Sequence, residues 1–296
     1  MEEFEINILR KLYVPPLNSH KGQNGKLLLI GGSTLFHSAS IWALKIASKI
    51  VDMVFYASIP QNNELIQDAK ATFQDGIVIK REDLDEYAKQ ADCILIGPGM
   101  MRNVAFKEKK TISEIDYLPQ IVSLEDEGAQ TYYLTKYILT NYKSKKVVVD
   151  AGALQMLHPS WLKGRTDTLL TPHKLEFRNL FSKEPTAENI SQMAKLYNCF
   201  LLVKGVEDIL CSSKKCSTIK GGNAGLTKGG TGDVLAGLIA ALSCKNDIYL
   251  AALCGSYFNK KAGDDLYKEF SYFFNASDLI EQLPRTIKNQ IDLLRV

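Results

Sequence analysis

Residues 221–233 are the part of this chain whose composition is best suited to chemistry. They contain six glycines and end in Asp233, and a continuous apolar run begins at Val234. Glycine adopts positive φ at low cost and lets a ligand approach the backbone, so such a loop can turn its N–H groups around an anion. The helix predicted after the loop adds unpaired N–H groups and a positive dipole end to the same space. The pattern predicts a phosphate-binding site.

Asp233 has two possible roles on the residues alone. At the start of a helix, an aspartate accepts hydrogen bonds from the first-turn N–H groups as an N-cap. Beside a bound phosphate, its carboxylate is placed to take a proton from an attacking hydroxyl as a general base. The glycines directly before it favour the second role. The loop is neither a strand-linked G-x-G-x-x-G nor a Walker loop, because it lacks both spacings.

The composition limits the class of protein. The chain has 296 residues, 46% of them hydrophobic, so it can bury a sizeable core, and its formal net charge of +3 gives no argument for nucleic-acid binding. Residues 1–5 lack the basic-then-apolar order of a secretory signal, and no apolar run reaches the roughly 18 residues that a membrane helix needs. We therefore expect a cytoplasmic protein that does not act at a membrane.

The six cysteines include no C-x-x-C pair, and none stands at ligand spacing from one of the four histidines, so a structural zinc site is not expected. Four of them lie in apolar stretches, where a free thiol serves as a small hydrophobe. The other two, Cys211 and Cys216, flank a short turn. Their positions suit neighbours on a hairpin.

Short apolar runs alternate with longer amphipathic runs, which predicts a mostly parallel sheet covered by helices. No repeat, low-complexity tract or linker interrupts the pattern, so residues 1–296 are expected to form a single domain. We predict strands at 26–30, 53–59, 77–79, 93–96, 147–149, 168–170 and 200–203, and a hairpin that ends at 219. We predict helices at 41–51, 129–142, 249–262 and 276–294.

Three of these strands end in residues that can contact a ligand. Asp150 ends one strand, where its carboxylate can contact a substrate or an associated magnesium ion, and capping a turn is its alternative role. His173 opens a helix after another strand, with Pro172 at the helix entry and Glu176 three residues on in the pattern of a capping box. Lys204 ends a third strand, where its ammonium can reach a phosphate.

These motifs together resemble the ADP/ATP-dependent NAD(P)H-hydrate dehydratase family of the ribokinase-like superfamily. The glycines of residues 229–233 resemble the anion-hole motif of the superfamily, and the segments on either side of them resemble the family. The other matching segments follow the family's order: Gly31-Gly32-Ser33, Gly97-Pro98-Gly99, Asp150-Ala151, Thr171-Pro172-His173 with Glu176, and Lys204-Gly205. The resemblance implies a ribokinase-like α/β fold, in which a mostly parallel central sheet carries helices on both faces as an α/β/α sandwich.

The resemblance also implies the residues of the site, and it leaves metal ligands unassigned. The catalytic residue is Asp233, and the anion hole is formed by Gly229, Gly230, Thr231 and Gly232. Nucleotide-binding residues are Lys204, Gly205, Val206, Glu207, Asp208, Asn223, Ala224, Gly225, Leu226, Thr227 and Lys228. Substrate-binding residues are Ala39, Gly99, Asp150, His173 and Asp233.

The implied reaction is the dehydration of (6S)-NADHX or (6S)-NADPHX to NADH or NADPH, driven by ADP or ATP with Mg²⁺. Asp233 would deprotonate or orient the hydroxyl at C6 of the hydrated ring, and the glycine amides would hold the charge that grows on the transferred phosphoryl group. An N-terminal epimerase domain, which some members carry, is not expected here. A separate NAD(P)HX epimerase would then be the functional partner, and a homo-oligomer is expected by likeness to relatives.

Two positions depart from the family pattern: Ser38 and Met100 stand where glycine is usual. One alternative function is a small-molecule kinase of the hydroxymethylpyrimidine or hydroxyethylthiazole type, which the motif around His173 argues against. Another is a nucleotide-binding regulator without catalysis, which Asp233 argues against.

Residues 103–128 are expected to be an insertion, as a lid or an oligomer contact. Arg102 is either a contact to a substrate phosphate or a surface arginine.

Overall fold

The structure is a computed structural model that describes residues 1–109 and 111–294. Residues 110, 295 and 296 lie outside it, so a part of the predicted 1–296 domain and of the predicted 103–128 insertion falls outside the described residues. The strands are β1 (Glu2–Glu3), β2 (Lys26–Ile30), β3 (Met53–Ala57), β4 (Ile77–Ile79), β5 (Cys93–Ile96), β6 (Lys146–Val149), β7 (Thr168–Leu170), β8 (Phe200–Val203), β9 (Asp208–Cys211) and β10 (Cys216–Ile219).

These strands form one sheet in the order β1-β10-β9-β8-β7-β6-β5-β2-β3-β4. Neighbours from β4 through to β8 pair in parallel, whereas β9 pairs antiparallel with both β8 and β10. A disulfide joins Cys211 to Cys216 across the β9–β10 hairpin, so the prediction that they are neighbours is confirmed. The other four cysteines are buried free thiols.

Twelve α-helices cover the sheet over the described residues. They are α1 (His37–Ser48), α2 (Pro60–Asp68), α3 (Leu84–Gln90), α4 (Val104–Lys107), α5 (Leu118–Val122), α6 (Glu127–Asn141), α7 (Ala151–Met156), α8 (Lys174–Phe181), α9 (Ala187–Tyr197), α10 (Thr231–Ser243), α11 (Ile248–Phe270) and α12 (Ala276–Asp292). Within this part of the chain, no helix combines the length and the apolar character that crossing a membrane requires.

The central strands are buried on both faces, which explains their continuous apolar sequences. In β2, Leu28 and Ile30 pack on one face with residues of α6, while Leu27 and Leu29 pack on the other face with residues of α1 and α10. Helices therefore cover both faces, as predicted for an α/β/α sandwich. Helix α10 is apolar nearly all round because it lies between the sheet on one side and α11 and α12 on the other.

Several predicted boundaries are wrong by a few residues. Strand β3 ends at Ala57 rather than at residue 59, because Ser58 turns to donate its hydroxyl to the carbonyl of Gly31 (2.7 Å) and Pro60 opens α2. Helix α1 begins at His37 rather than at residue 41, and α11 continues past residue 262 to Phe270. In α1, the buried residues Ala43, Leu44, Ile46 and Ala47 follow the spacing of an apolar helix face.

Candidate active site

The segments predicted to form the site meet at one edge of the sheet. Five parallel strands, β2 and β5 to β8, point their carboxyl ends toward this edge, as is usual for ligand sites in such sheets. Hydrogen bonds between the loops fix their positions there: the amide of Gly32 donates to the carbonyl of Pro98 (2.8 Å), and the amide of Lys204 donates to that of Pro172 (2.9 Å).

The glycine-rich loop ends at Gly230, which is the N-cap of α10 and has a φ of +95°. Only glycine adopts that conformation without strain, so Gly230 fixes where α10 begins. Asp233 therefore lies within the first turn, and its interpretation as the N-cap is wrong. Open space surrounds Gly229, since an added Cβ there would have no atom within 4 Å.

Most of the predicted anion-hole amides are available to a ligand. Among the described residues, no protein acceptor is bonded to the amides of Gly229, Gly230 or Gly232, whereas the amide of Thr231 donates to the carbonyl of Lys228 (3.3 Å). The hydroxyl of Thr231 also stays within the loop, where it donates to the carbonyls of Leu226 and Lys228. Thr231 thus shapes the loop, and the three glycines leave donors for an anion.

Asp233 is half-buried beside the loop, and its pKa is raised to about 7. Burial is the largest cause, and the nearby Asp150 carboxylate raises the pKa further, while Lys204 lowers it. A carboxylate with a pKa near 7 can both accept and release a proton at neutral pH, which is what general acid–base catalysis requires.

Lys204 and Asp150 form an ion pair next to Asp233, with Nζ and Oδ1 2.9 Å apart. Thr171 donates its hydroxyl to the same Asp150 oxygen (2.8 Å), and this carboxylate makes no capping bond to α7, which argues against the turn-capping role. Burial lowers the pKa of Lys204, but Asp150, Glu176 and Asp233 raise it by more. The sequence predicts that Lys204 binds the nucleotide. Its ammonium lies between the predicted substrate residues and the start of α10, and its Nζ is 3.8 Å from the position that a Cβ of Gly232 would take.

His173 and Glu176 form the predicted capping box at the start of α8. The Nδ1 of His173 accepts from the amides of Leu175 and Glu176 (both 3.2 Å), and Glu176 Oε2 accepts from the amide of His173 (2.9 Å). Because the N-cap is His173, Pro172 lies just outside the helix. The ring is thereby fixed in orientation, and 52% of the His173 side chain is exposed to the site edge.

Ala39 and Gly99, the other two predicted substrate residues, are neighbours. Gly99 has a φ of +70°, and a Cβ there would lie 2.5 Å from the carbonyl oxygen of Phe36 and 3.1 Å from the Cβ of Ala39. Of the two departures from the family pattern, Met100 is buried in the core and Ser38 is exposed on α1.

The first nucleotide-binding segment has an exposed part and a buried part. Val206 and Glu207 are exposed, but the Asp208 carboxylate points inward and accepts from the amide of Gly205 (2.9 Å) and the hydroxyl of Ser256 (2.7 Å). It also pairs with the ammonium of Lys260 at 3.3 Å. This carboxylate is thus used within the protein, to hold the turn in shape.

The second nucleotide-binding segment is held by α11. Asp264 accepts from the amide of Gly222 (3.0 Å) and from the side-chain amide of Asn223 (3.2 Å). Asn223 in turn accepts from the amide of Gly225 (2.9 Å), and Lys228 donates to the carbonyls of Tyr272 and Phe274. The side chains of Asn223 and Lys228 therefore shape the loop, and its backbone is the part left for a ligand. The remaining predicted members of this segment, Ala224, Leu226 and Thr227, belong to a 3₁₀ turn that links these anchors.

Three further residues lie near the predicted segments. Arg102 is exposed and donates to the side-chain oxygen of Gln155 (2.7 Å). Lys260 and Asp264, which hold the two nucleotide segments, were missed, because both lie on a helix whose sequence shows only a packing pattern. Across the described residues, no three His, Cys, Asp or Glu side chains are grouped so that they could hold a metal ion.

Comparison with known proteins gives a consistent match. A family model described as NAD(P)H-hydrate dehydratase matches residues 27–285. The bifunctional NAD(P)H-hydrate repair enzyme Nnr of Methanocaldococcus jannaschii is 36% identical over 276 residues, which are 92% of this chain and 50% of that protein. The ADP-dependent (S)-NAD(P)H-hydrate dehydratase of Cenarchaeum symbiosum is 26% identical, over 92% of this chain and 91% of its own length. The chain therefore spans about half the length of the bifunctional relatives it matches.

Among solved structures, the ADP/ATP-dependent NAD(P)H-hydrate dehydratase of Bacillus subtilis, co-crystallised with ATP and Mg²⁺, superposes with a TM-score of 0.77. The sequences are 22% identical, and the match covers 98% of each chain. At that identity the likeness concerns the fold, which is ribokinase-like, as predicted.

Proposed function

Because the chain belongs to the NAD(P)H-hydrate dehydratase family, we propose that it dehydrates (6S)-NAD(P)HX to NAD(P)H at the expense of ADP or ATP. The observation that supports this most is that Asp233, with a pKa of about 7, lies beside both the Lys204–Asp150 pair and the glycine-rich start of α10. That arrangement brings a base, a cation and free amide donors to one point of the sheet edge.

Asp233 acts as the base in this proposal. Its ionised carboxylate accepts the proton of the C6 hydroxyl of the hydrated ring, which makes the oxygen a better nucleophile. Asp150 and Lys204 set how readily that proton is taken, because one raises and the other lowers the pKa of Asp233. Ala39, Gly99 and His173 line the adjoining loops and would position the substrate.

The amides of Gly229, Gly230 and Gly232 hold the charge that grows on the transferred group. Backbone donors aimed in advance at such a charge stabilise the transition state without reorganisation, and no atom lies within 4 Å of the position that a Cβ of Gly229 would take. When bound, ADP or ATP with Mg²⁺ would supply the phosphoryl group that turns the C6 oxygen into a leaving group. Since the described residues hold no acidic cluster, they fit a metal carried by nucleotide phosphates and water.

The test is to incubate the protein with NADPHX, Mg²⁺ and either ADP or ATP while the absorbance of the reduced ring is followed. We expect absorbance to return only when a nucleotide is present, with one equivalent of phosphate released for each NADPH. A phosphorylated product that accumulates without recovery of NADPH would favour the small-molecule kinase. Nucleotide binding without any turnover would favour the regulator.

The proposal has further parts besides the reaction itself. Five statements stay predictions: the residue assignments, the single-domain organisation, a separate NAD(P)HX epimerase as functional partner, a homo-oligomer and a cytoplasmic location. The first follows from the positions at the sheet edge, and the others follow from the sequence and the family.

A further inference from the structure

We infer that Arg81 is a positioning residue that fixes the loop of residues 31–34 against the turn that carries Gly99. This inference rests on the proposed function, because that loop leads into α1 and Ala39 at the substrate side of the site. Arg81 follows β4 and begins a short 3₁₀ turn, and only 6% of its surface is exposed. Nothing in its local sequence marks it, since it stands in a charged stretch that predicts a solvent-exposed turn.

One edge of the Arg81 guanidinium bonds the loop directly. Its Nη2 donates to the carbonyls of Gly31 (3.1 Å) and Gly32 (3.2 Å). The amide of Gly32 in turn donates to the carbonyl of Pro98 (2.8 Å), the residue before Gly99. Arg81, the loop of residues 31–34 and the turn that carries Gly99 are thus joined by hydrogen bonds.

The other edge of the guanidinium reaches helix α6. Its Nη1 donates to the side-chain oxygen of Gln130, whose amide nitrogen donates to the carbonyl of Val122 (2.8 Å). Glu127, one turn earlier on α6, accepts from the amide of Thr34 (3.2 Å). The end of the 103–128 segment is therefore anchored on the same loop, through Arg81 on one side and Glu127 on the other.

The position of Arg81 costs free energy, which argues that it does more than fill space. Burial lowers its pKa to about 10, so it stays charged at neutral pH, and its Nε has no hydrogen-bond partner among the described residues. A buried cation held mainly by neutral acceptors is expensive to desolvate. In return, the planar guanidinium holds two carbonyls in a fixed direction, which the single ammonium of a lysine cannot reproduce.

Arg165 provides a matched control within the same chain. It is fully buried, and burial lowers its pKa to about 10 as well. Its guanidinium also bonds backbone carbonyls, those of Leu139 (2.8 Å) and Lys145 (2.8 Å), together with the hydroxyl of Thr168 (2.6 Å). Lys145 and Thr168 lie at the amino ends of β6 and β7, at the edge of the sheet opposite the site, and Leu139 lies in the last turn of α6.

The experiment compares Arg81→Lys with Arg165→Lys in the full chain. We expect both to lower the Tm, because each loses bonds of a buried guanidinium. Only Arg81→Lys should raise the KM for NADPHX, by about tenfold, with kcat and the KM for the nucleotide within about threefold of wild type. An unchanged KM for NADPHX in Arg81→Lys, or an equal rise in Arg165→Lys, would overturn the inference.

A second measurement does not depend on turnover, so it separates this inference from the proposed function. Amide hydrogen exchange of residues 31–36 should be faster in Arg81→Lys than in wild type and unchanged in Arg165→Lys. If wild type fails to convert NADPHX, the proposed function falls, and the exchange result still decides whether Arg81 fixes the loop. Equal protection of residues 31–36 in all three proteins would contradict the positioning role.

Discussion

Two lysine–aspartate pairs lie on either side of the turn after β8, and they differ in how many hydrogen-bond donors of the lysine ammonium remain available to a ligand. In one, Lys204 Nζ is 2.9 Å from Asp150, and in the other, Lys260 Nζ is 3.3 Å from Asp208. Lys260 also donates to the carbonyls of Gly205 (3.1 Å) and Val206 (3.0 Å), so its three donors have three acceptors. Within the described residues, Lys204 has Asp150 as its one acceptor, and its side chain is 20% exposed against 7% for Lys260.

The comparison shows that the same pair of residue types can serve two purposes. With every donor used, Lys260–Asp208 holds the turn and the hairpin in place. Lys204 keeps donors that can meet a ligand, and Asp233 stands close enough to raise its pKa. Spare hydrogen-bond donors beside a titrating acid therefore distinguish the side of the turn at which we propose catalysis.

The largest effect is expected from Asp233→Asn, which removes the acid that faces the first pair. We expect kcat to fall by about 100- to 10,000-fold, the usual contribution of a general base, while the fold is kept because the amide has nearly the same shape. The measurement is NADPH recovery at saturating nucleotide, with circular dichroism as the control for folding. Turnover equal to that of wild type would remove Asp233 from the mechanism.

The next prediction concerns stability. Lys260→Met leaves the Asp208 carboxylate buried without its cation, so we expect the free energy of unfolding to fall by about 3–5 kcal/mol, measured by urea denaturation. Lys204→Met removes a single ion pair, whereas Lys260→Met also removes two hydrogen bonds to backbone carbonyls, so Lys204→Met should lower stability less and kcat more.

The double variant Asp208→Asn with Lys260→Met serves as the control for this pair. Since it removes both charges, it should recover part of the lost stability. The comparison of the two pairs would be wrong if Lys204→Met destabilised the protein as much as Lys260→Met and kept full turnover.

Most of the sheet could be predicted because its signal is local. Continuous apolar runs marked residues 93–96 and 200–203, and the structure has strands with the same bounds, since strands buried on both faces need no alternation. The capping box of His173 and Glu176 was also predictable, because its two members are three residues apart.

The supports of the site could not be predicted, because they join residues distant in sequence. Arg81 lies 50 positions from Gly31, and Asp264 lies 42 positions from Gly222, so no spacing in the chain reveals either contact. The N-cap role of Asp233 failed for a different reason. A helix begins where the backbone permits it, and the positive φ of Gly230 sets that point three residues earlier.

The smallest expected effect gives the most direct test of the central claim, which is that Asp233 is a base whose pKa is set by Lys204 and Asp150. The measurement is kcat/KM against pH for wild type, Lys204→Met and Asp150→Asn at the same nucleotide concentration, so that titration of the nucleotide cancels. Because the base must be ionised, we predict that wild-type activity falls as the pH drops through about 7. The fall should move to higher pH in Lys204→Met, which loses a cation, and to lower pH in Asp150→Asn, which loses an anion. Profiles that coincide in all three proteins would contradict the account.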